Sequence, residues 1–421
     1  AIGAPYNDGT GSNAGHVRIY ELDGGTWTQL GSDIDGEAEE DQSGYSVSLS
    51  SDGTRVAIGA PYNDGTASNA GHVRIYEFSG GTWTQLGSDI DGEAANDQSG
   101  RSVSLSSDGT RVAIGALYND GTGSNAGHVR IYELSGGTWT QLGSDIDGEA
   151  AGDLSGYSVS LSSDGTRVAI GALDNDGTAS NAGHVRIYEL SGGDWSQLGS
   201  DIDGEASSDY SGWSVSLSSD GTRVAIGASY NDENGSNSGH VRIYELSGGT
   251  WTQLATDIDG EAADDQSGFS VSLSSDGTRV AIGARLNDEN GTSAGHVRLY
   301  ALQNTYSETF DAQSCSCVAL QNPASVASSP ATTRTGYNFQ GWFDAATDGN
   351  EITFPYAPVA DVTLYAQWVS ATPPTPAPYT GPLPTGYSNT TPSIGDEVVV
   401  SGLRLNLVTS CTIDGVTAVM S

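Results

Sequence analysis

The chain repeats one segment of 56 residues, and this repeat restricts the possible folds more than any other feature. The tripeptide Ile-Gly-Ala recurs at positions 2, 58, 114, 170, 226 and 282. The segment SVSLSSDGTRVAIGA, which begins at residue 46, returns unchanged at 102, 158, 214 and 270. A constant period of this size is typical of solenoids, propellers or arrays in which each repeat is one structural unit.

Each repeat contains four short strand patterns, SVSLS, RVAIGA, HVRIYEL and TWTQLGSDI, separated by connections rich in Gly, Asp, Asn and Ser. Alternation of apolar and polar residues between such connections predicts strands. The pair Asp52-Gly53 predicts a tight hairpin between the first two. Four antiparallel strands per repeat predict the blade of a β-propeller. The patterns occur five, six, six and five times, which predicts 22 strands.

We therefore predict an all-β protein whose first domain, residues 1–303, is a β-propeller of six or seven four-stranded blades. Because the chain begins within a strand pattern, we expect it to be a fragment that lacks the N-terminal part of the propeller. The Trp of each TWTQL segment is expected to pack between blades, since both faces of a blade must be covered. An aromatic binding platform is the alternative.

The charge of the chain excludes two classes of partner. The sequence has 53 acidic and 15 basic residues, for a formal net charge of -38. Such a surface repels nucleic acid and anionic lipid. No apolar run approaches the roughly 20 residues that span a bilayer, so no membrane insertion is expected. The acidity suits cation binding, with simple solubility as the alternative.

An acidic loop recurs after each TWTQL strand and is the candidate metal site. Four carboxylates in nine residues could surround a hard cation such as calcium. The alternative is a solvated connection in which the Asp side chains form Asx turns. The candidate ligands are Asp33, Asp35, Glu37, Asp41, Asp89, Asp91, Glu93, Asp97, Asp145, Asp147, Glu149, Asp153, Asp201, Asp203, Glu205, Asp209, Asp257, Asp259, Glu261 and Asp265.

Three further groups of residues recur or break the pattern. A second loop begins with Asn-Asp, as at Asn7-Asp8, and is expected to form turns. The six His residues all lie in Gly-His-Val and are expected to be structural, each capping a neighbouring turn, while the Arg residues are expected to pair with Asp. The residues that break the repeat are Arg101, Asp174, Asp194, Tyr210, Trp213 and Arg285.

Nearly identical repeats supply the same groups everywhere, whereas catalysis needs unlike groups at one point. The repeat-breaking residues form no recognisable catalytic set, so we expect no enzyme and no catalytic residue. A single pocket lined by these residues would favour one.

The segment SGYSVSLSSDGTRVAIGAP resembles the FG-GAP repeat, which forms the blades of integrin α-subunit propellers. Gly44-Tyr45 matches the FG position, and Gly59-Ala60-Pro61 matches GAP. The resemblance implies adhesion or recognition at a cell surface. Integrin-type blades carry a calcium loop between these two motifs, but only the hairpin with Asp52 lies there in this chain. The calcium ligands of that family therefore have no counterpart at this place.

The C-terminal part has a different pattern. The segments RTGYNFQGWF and VTLYAQW resemble the Listeria–Bacteroides, or internalin B-type, repeat, which implies a small β-grasp-like module over residues 304–368 with an aromatic core. Residues 369–391 are predicted to form a Pro-rich linker. Residues 392–421 resemble the start of an immunoglobulin-like IPT/TIG domain. Cys315, Cys317 and Cys411 do not form a recognisable zinc site.

Together these features predict an extracellular or cell-surface protein that binds a protein or glycan partner through the propeller loops. A structural subunit that self-assembles into a filament or matrix is the alternative. A hydrolase or lyase on a propeller scaffold is a third possibility.

Overall fold

The structure is a computed structural model, and it describes residues 1–302, 307–311, 318–321, 337–353, 362–370, 410–413 and 416–419. The chain divides into two compact units, and nearly all of the first is formed by Ala1–Tyr306. All regular structure in the described residues is β-strand, with no helix among them. The described residues accordingly include no helix that is long and apolar enough to cross a membrane.

The repeats form 28 strands, and their bounds follow in chain order. The first repeat gives β1 (Ile2–Ala4), β2 (His16–Arg18), β3 (Tyr20–Asp23), β4 (Thr26–Gln29) and β5 (Ile34–Asp35). The second gives β6 (Ser46–Leu49), β7 (Arg55–Ala60), β8 (His72–Ser79), β9 (Thr82–Gln85) and β10 (Ile90–Asp91). The third gives β11 (Ser102–Leu105), β12 (Arg111–Ala116), β13 (His128–Ser135), β14 (Thr138–Gln141) and β15 (Ile146–Asp147).

The remaining repeats follow the same order. The fourth gives β16 (Ser155–Leu161), β17 (Arg167–Ala172), β18 (His184–Ser191), β19 (Asp194–Gln197) and β20 (Ile202–Asp203). The fifth gives β21 (Ser214–Leu217), β22 (Arg223–Ala228), β23 (His240–Ser247), β24 (Thr250–Gln253) and β25 (Ile258–Asp259). The last gives β26 (Ser267–Leu273), β27 (Arg279–Ala284) and β28 (His296–Ala301).

Each middle repeat folds into one antiparallel sheet with the strands in sequence order, as in β11-β12-β13-β14. The predicted fourth strand is divided in two, because its first half pairs with the end of the third strand and its last two residues pair with the beginning. In the third repeat, Trp139 lies opposite Leu134, whereas Ile146 lies opposite Val129. The all-β, propeller-like fold predicted from the repeat is confirmed.

Successive sheets pack face to face, and the core lies between them. Ala57, Val73 and Ile75 of the second sheet contact Val112 and Ile114 of the third, and all five are at most 1% exposed. The same cluster recurs along the array. Neighbouring sheets contact mainly through their first two strands, so the first strand of each sheet is the innermost. Sheets that meet at their first strands and diverge toward their last strands are arranged like the blades of a propeller.

The predicted packing of the Trp residues is confirmed in the interior of the array. Trp139 is 8% exposed, and its Nε1 donates a hydrogen bond of 2.8 Å to the carbonyl oxygen of Leu86 in the preceding repeat. The innermost strands are joined by serines. Ser102 Oγ donates to the carbonyl oxygen of Gly156, and Ser104 Oγ accepts from the backbone NH of Leu161. The polar face of SVSLS therefore connects sheets.

The first and last sheets each leave one face uncovered. We call the exposed side of the first sheet, with Ile2 and Trp27, the leading face, and that of the last sheet, with Val297 and Leu299, the trailing face. These four residues are 61%, 65%, 68% and 80% exposed. In the middle sheets the equivalent residues are largely buried against a neighbouring sheet.

The second unit contains a four-stranded sheet and a hairpin. The sheet order is β30 (Val318–Gln321), β29 (Ser307–Asp311), β32 (Val362–Ser370) and β31 (Tyr337–Phe343), with β29 and β32 parallel. Trp342 is 2% exposed and its ring centroid lies 5.8 Å from that of Phe339, as expected for an aromatic core.

Strands β33 (Ser410–Ile413) and β34 (Val416–Val419) form the hairpin. Most of the predicted linker and IPT/TIG segment lies outside the described residues, as do Cys315, Cys317 and the side chain of Cys411.

Candidate functional site

In every repeat, the two long connections lie at the same end of the strands. We call this side of the array the loop face. One connection joins the second and third strands, and the other joins the fourth strand to the next repeat. The candidate metal ligands predicted from the sequence therefore lie together on the loop face. The Asp-Gly hairpins lie at the opposite ends of the strands.

The Asn-Asp loop forms turns, as predicted. Asn63 Oδ1 accepts a hydrogen bond from the backbone NH of Gly65, and Asp64 Oδ1 accepts one from the backbone NH of Asn69. Asn63 is 7% exposed, and its Nδ2 donates to Asp41 of the acidic loop. The two loops are therefore fastened together by buried polar side chains.

The four carboxylates of one acidic loop have different roles. The last Asp of each loop is buried, as shown by Asp97 at 3% exposure, and it accepts hydrogen bonds from the backbone NH of Ala94 and from Asn119 Nδ2. The same contacts recur for Asp41, Asp153, Asp209 and Asp265. This Asp closes a turn, as in the alternative considered from the sequence.

The first Asp and the Glu instead approach a His, and they come from successive loops. Glu93 of one loop and Asp145 of the next both approach His128, with oxygens 3.9 and 4.0 Å from its Nδ1. The equivalent sets are Glu37, His72 and Asp89; Glu149, His184 and Asp201; and Glu205, Glu233, His240 and Asp257, while His16 approaches Asp33 and Asp35. Glu261 approaches His296 in the same way, with an oxygen 3.7 Å from Nδ1. Calcium binding by these loops, including Asp91, Asp147, Asp203 and Asp259, stays a prediction.

Burial lowers the pKa of four of the six histidines. His128 and His184 are each 1% exposed, and burial, reinforced by Arg130 and Arg186 respectively, lowers the pKa of each to about 4. Burial also lowers the pKa of His72 and His240. The structural role predicted for these residues agrees with their burial, but their neighbours are carboxylates, with no turn cap recorded among the described contacts.

The arginines pair chiefly with Glu, so the expectation of Arg–Asp pairs is wrong for most copies. Arg111 donates to Glu133 on the adjacent strand at 2.7 Å, because the register places these residues opposite each other. Arg130 Nη1 lies 3.4 Å from Glu93, and its Nη2 donates to the carbonyl oxygen of Asp91. Arg18 is an exception and pairs with Asp33 at 3.0 Å.

One planar side chain from each of five repeats contributes to a continuous stack, which we call the stacking ladder. Its members immediately follow the Ser-Gly of each repeat and precede Ser-Val-Ser: Tyr45, Arg101, Tyr157, Trp213 and Phe269. The guanidinium carbon of Arg101 lies 4.4 Å from the ring centroid of Tyr45 and 4.5 Å from that of Tyr157. Trp213 stacks at 5.1 Å from Tyr157 and 5.4 Å from Phe269.

A pocket opens beside this ladder at the fifth repeat. Its volume is about 510 Å³, and its lining consists of Ser208, Tyr210, Trp213, Tyr230, Asp232 and Asn237. The ring of Tyr230 lies 5.3 Å from both Tyr210 and Trp213. We call this site the aromatic pocket. Three aromatic rings with a few polar groups at the edge are typical of small-molecule sites.

Four of the six repeat-breaking residues lie on the loop face, in the stacking ladder or the aromatic pocket or beside them. Tyr210 and Trp213 line the aromatic pocket, Arg101 is part of the stacking ladder, and the guanidinium carbon of Arg285 lies 4.0 Å over the ring of Phe269. Asp174 occupies the position that Tyr230 has in the fifth repeat. Asp194 lies elsewhere, on β19, where it accepts from the backbone NH of Ser144. That the chain is not an enzyme stays a prediction.

Sequence reasoning missed the stacking ladder and Tyr230. The signal was a single column of the repeat, occupied by Tyr, Arg, Tyr, Trp and Phe, which varies in residue type but always carries a planar group. It also missed the pairing of each Glu with the His of the following repeat, because the two are 35 residues apart, as are Glu93 and His128.

Comparison with known proteins agrees with this architecture. A model of the FG-GAP repeat matches residues 33–76, 90–132, 201–244 and 251–300, and a model of the Listeria-Bacteroides repeat domain matches residues 306–367. The chain carries four FG-GAP repeats and a Listeria-Bacteroides repeat domain. In the FG-GAP repeats of this protein, the hairpin between the two motifs is closed by Asp52 Oδ1, which accepts hydrogen bonds from Ser50 and Thr54.

Among curated proteins, this chain is 35% identical over 103 residues to Internalin H of Listeria monocytogenes. The match spans 23% of this chain and 19% of the relative. Repeats of these kinds are typical of extracellular or surface proteins.

Solved structures also resemble this chain. A protein provisionally assigned as a 6-phosphogluconolactonase from Bacteroides uniformis aligns with a TM-score of 0.47 at 15% identity, over 87% of this chain and 97% of that one. A periplasmic gluconolactonase of Pseudomonas aeruginosa aligns with a TM-score of 0.46 at 14% identity, over 85% and 95% of the two chains.

Proposed function

We propose that this protein is an extracellular or surface-attached recognition protein that binds a neutral glycan in the aromatic pocket. The observation that carries the proposal is the grouping of Tyr210, Trp213 and Tyr230 in one pocket whose lining also includes Asp232 and Asn237. A sugar ring has an apolar C–H face and a rim of hydroxyl groups. The aromatic rings suit the face, and the carboxylate and amide suit the rim.

The charge of the protein favours neutral over anionic glycans. The formal net charge is -38, and Asp232 is part of the pocket lining. An acidic polysaccharide would be repelled on approach. The internalin-type and FG-GAP repeats support the surface location, because both are typical of proteins outside the cell. Two repeat-breaking residues, Tyr210 and Trp213, line the pocket, but its lining has one carboxylate and no His, so the proposal assigns recognition to it and no catalysis.

Binding of neutral oligosaccharides, monitored by Trp fluorescence and by a glycan array, tests this function. We expect discrete binders, and we expect Tyr230→Ala and Trp213→Ala to weaken binding at least tenfold. Tyr62→Ala is the matched control, since Tyr62 has the same position in the second repeat but lies outside the aromatic pocket. An array without a neutral binder, or equal loss in the control, would contradict the proposal.

A second candidate function, a self-assembling structural subunit, is favoured by the two uncovered faces. Within the array, the trailing side of each sheet packs on the leading side of the next. The trailing face of one copy, with Val297 and Leu299, is therefore complementary to the leading face of another, with Ile2 and Trp27. Such a contact joins unlike surfaces and can propagate into filaments or close into rings.

Sedimentation velocity at increasing protein concentration tests this candidate. We expect end-to-end oligomers that disappear in Leu299→Asp, because the charge would lie in an apolar contact. The control is Glu39→Gln, because Glu39 is exposed. Leu134→Asp would not be suitable, since Leu134 packs against the internal core. A monomer at all concentrations would rule the structural role out.

A further inference from the structure

The His–carboxylate cluster of the fifth repeat brings together more groups than the clusters of the second to fourth repeats. Glu205, Glu233, His240 and Asp257 each place one potential ligand atom within 4.8 Å of all the others. The equivalent clusters in the second to fourth repeats have three members. The additional member, Glu233, comes from the Asn-Asp loop, where those repeats have Gly65, Gly121 and Gly177.

The imidazole of His240 is buried without a partner for the nitrogen that faces these carboxylates. The residue is 1% exposed, and its Nδ1 makes no hydrogen bond. This atom lies 3.6 Å from Asp257 Oδ2 and 3.9 Å from Glu205 Oε2. A buried polar atom without a hydrogen bond is costly, and so are like charges brought close together. A bound cation would relieve both.

We propose that Glu205, Glu233, His240 and Asp257 bind one divalent transition-metal ion of the zinc class. Calcium and magnesium prefer oxygen ligands, whereas an imidazole nitrogen with carboxylates suits zinc and its neighbours. Four ligands at about 2.1 Å from a tetrahedral zinc ion lie about 3.4 Å from one another. The distances of 3.6 and 3.9 Å at His240 are close to this arrangement.

The surroundings hold the ligands and balance the charge of the ion. Arg242 is 4% exposed, its Nη1 lies 3.5 Å from Glu205 Oε1, and its Nη2 donates to the carbonyl oxygen of Asp203. This leaves Glu205 Oε2 toward the imidazole. Three carboxylates and one guanidinium leave two negative charges, which one divalent ion neutralises. A cleft of about 480 Å³, lined in part by Glu205, Glu233 and Asp257, gives access for the ion.

Calorimetric titration of the chelator-treated full chain with zinc tests the site. The buffer contains 150 mM NaCl and excess magnesium to suppress weak binding to the acidic surface. We expect one tight ion per chain and at least 100-fold weaker binding in His240→Gln. His184→Gln is the matched control, because it alters a three-member cluster, and it should leave the tight site intact. Titration with cobalt should give a visible absorption band that His240→Gln loses.

A gain-of-function variant keeps the test independent of folding defects. Gly177 has the same local contact as Glu233, since each backbone NH donates to the Oδ1 of the Asn two residues before it. Gly177→Glu should therefore complete the fourth-repeat cluster and raise the stoichiometry from one zinc ion to two.

Three results would overturn the proposal: no tight zinc binding, zinc binding that His240→Gln leaves unchanged, or displacement of zinc by equimolar calcium. The outcome is separate from glycan binding, because none of the four ligands lines the aromatic pocket.

Discussion

Single residues in this protein act across the boundary between one repeat and the next. In the middle repeats, the buried Asp of the acidic loop, the Trp of the fourth strand and the serines of the first strand all make hydrogen bonds that join separate segments. Each repeat therefore needs its neighbours to satisfy some of its hydrogen-bonding groups. Single substitutions at these groups should weaken an interface between repeats.

Trp139→Phe should destabilise the protein by about 1–2 kcal/mol. The indole is replaced by a smaller phenyl ring, so some packing is lost and the carbonyl oxygen of Leu86 loses its donor at a largely buried interface. Chemical denaturation measures the change in the free energy of unfolding. Trp27→Phe is the matched control and should change it by less than about 0.5 kcal/mol, because Trp27 is 65% exposed. Equal effects of the two substitutions would show that burial and hydrogen bonding of Trp139 at this interface add nothing to stability.

His128 should make stability fall as the solution is acidified from pH 6.5 toward pH 4. Its pKa is about 4 in the folded protein and 6.5 in the unfolded chain, so the unfolded chain takes up the proton first. The contribution is complete above pH 6.5 and is lost as the pH approaches 4; it amounts to roughly 3 kcal/mol.

Urea unfolding at several pH values, in chelator, measures this dependence for the original chain and for His128→Gln. The variant should show a shallower loss of stability over this range. An unchanged slope would mean that the neighbouring Glu93, Asp145 and Arg130 compensate for the proton.

At the scale of strands and sheets, the sequence predicts most of what is found within a repeat. The 22 strand patterns all become strands, since alternation and turn residues are local signals. The division of the fourth strand was missed: the chain bends at Gly143, with φ of +77°, and the ring that leaves no room for a Cβ there, Trp195, belongs to the next repeat. The partners of Glu93 and the stacking ladder were missed for the same reason, since both depend on how sheets are placed side by side.

The Gly of the Ile-Gly-Ala segment should be required wherever another sheet follows. A Cβ atom at Gly115 would collide with the backbone carbonyl of Gly156 in the next repeat, so Gly115→Ala must push two sheets apart. We expect a cost of about 2–3 kcal/mol in chemical denaturation.

Gly283 offers the matched control in the last sheet. There the nearest group is the hydroxyl of Ser270, a side chain that can rotate, so Gly283→Ala should cost less than about 1 kcal/mol. If both substitutions were tolerated equally, close packing of successive sheets would not be the reason for this Gly.

At the scale of the whole molecule, charge opposes folding while the repeated interfaces favour it. The chain has only 15 basic side chains for 53 acidic ones, and several of the Arg residues are held in pairs with Glu. Most carboxylates therefore lie on a surface that is itself negatively charged. Compaction brings these charges closer together than they are in the unfolded chain, so screening should stabilise the folded state.

Raising NaCl from 20 to 500 mM should therefore increase the melting temperature by several degrees, because the Debye length falls from above 20 Å to below 5 Å, estimated as about 3 Å divided by the square root of the molar ionic strength. The experiment is run in chelator, so that bound metal does not contribute. Sodium sulfate at equal ionic strength is the comparison, since salting-out of apolar surface would make sulfate much more effective than chloride. Similar effects of the two salts indicate screening. A melting temperature that falls with salt would instead mean that the Arg–Glu pairs, rather than the repulsion among carboxylates, dominate the electrostatic free energy of the fold.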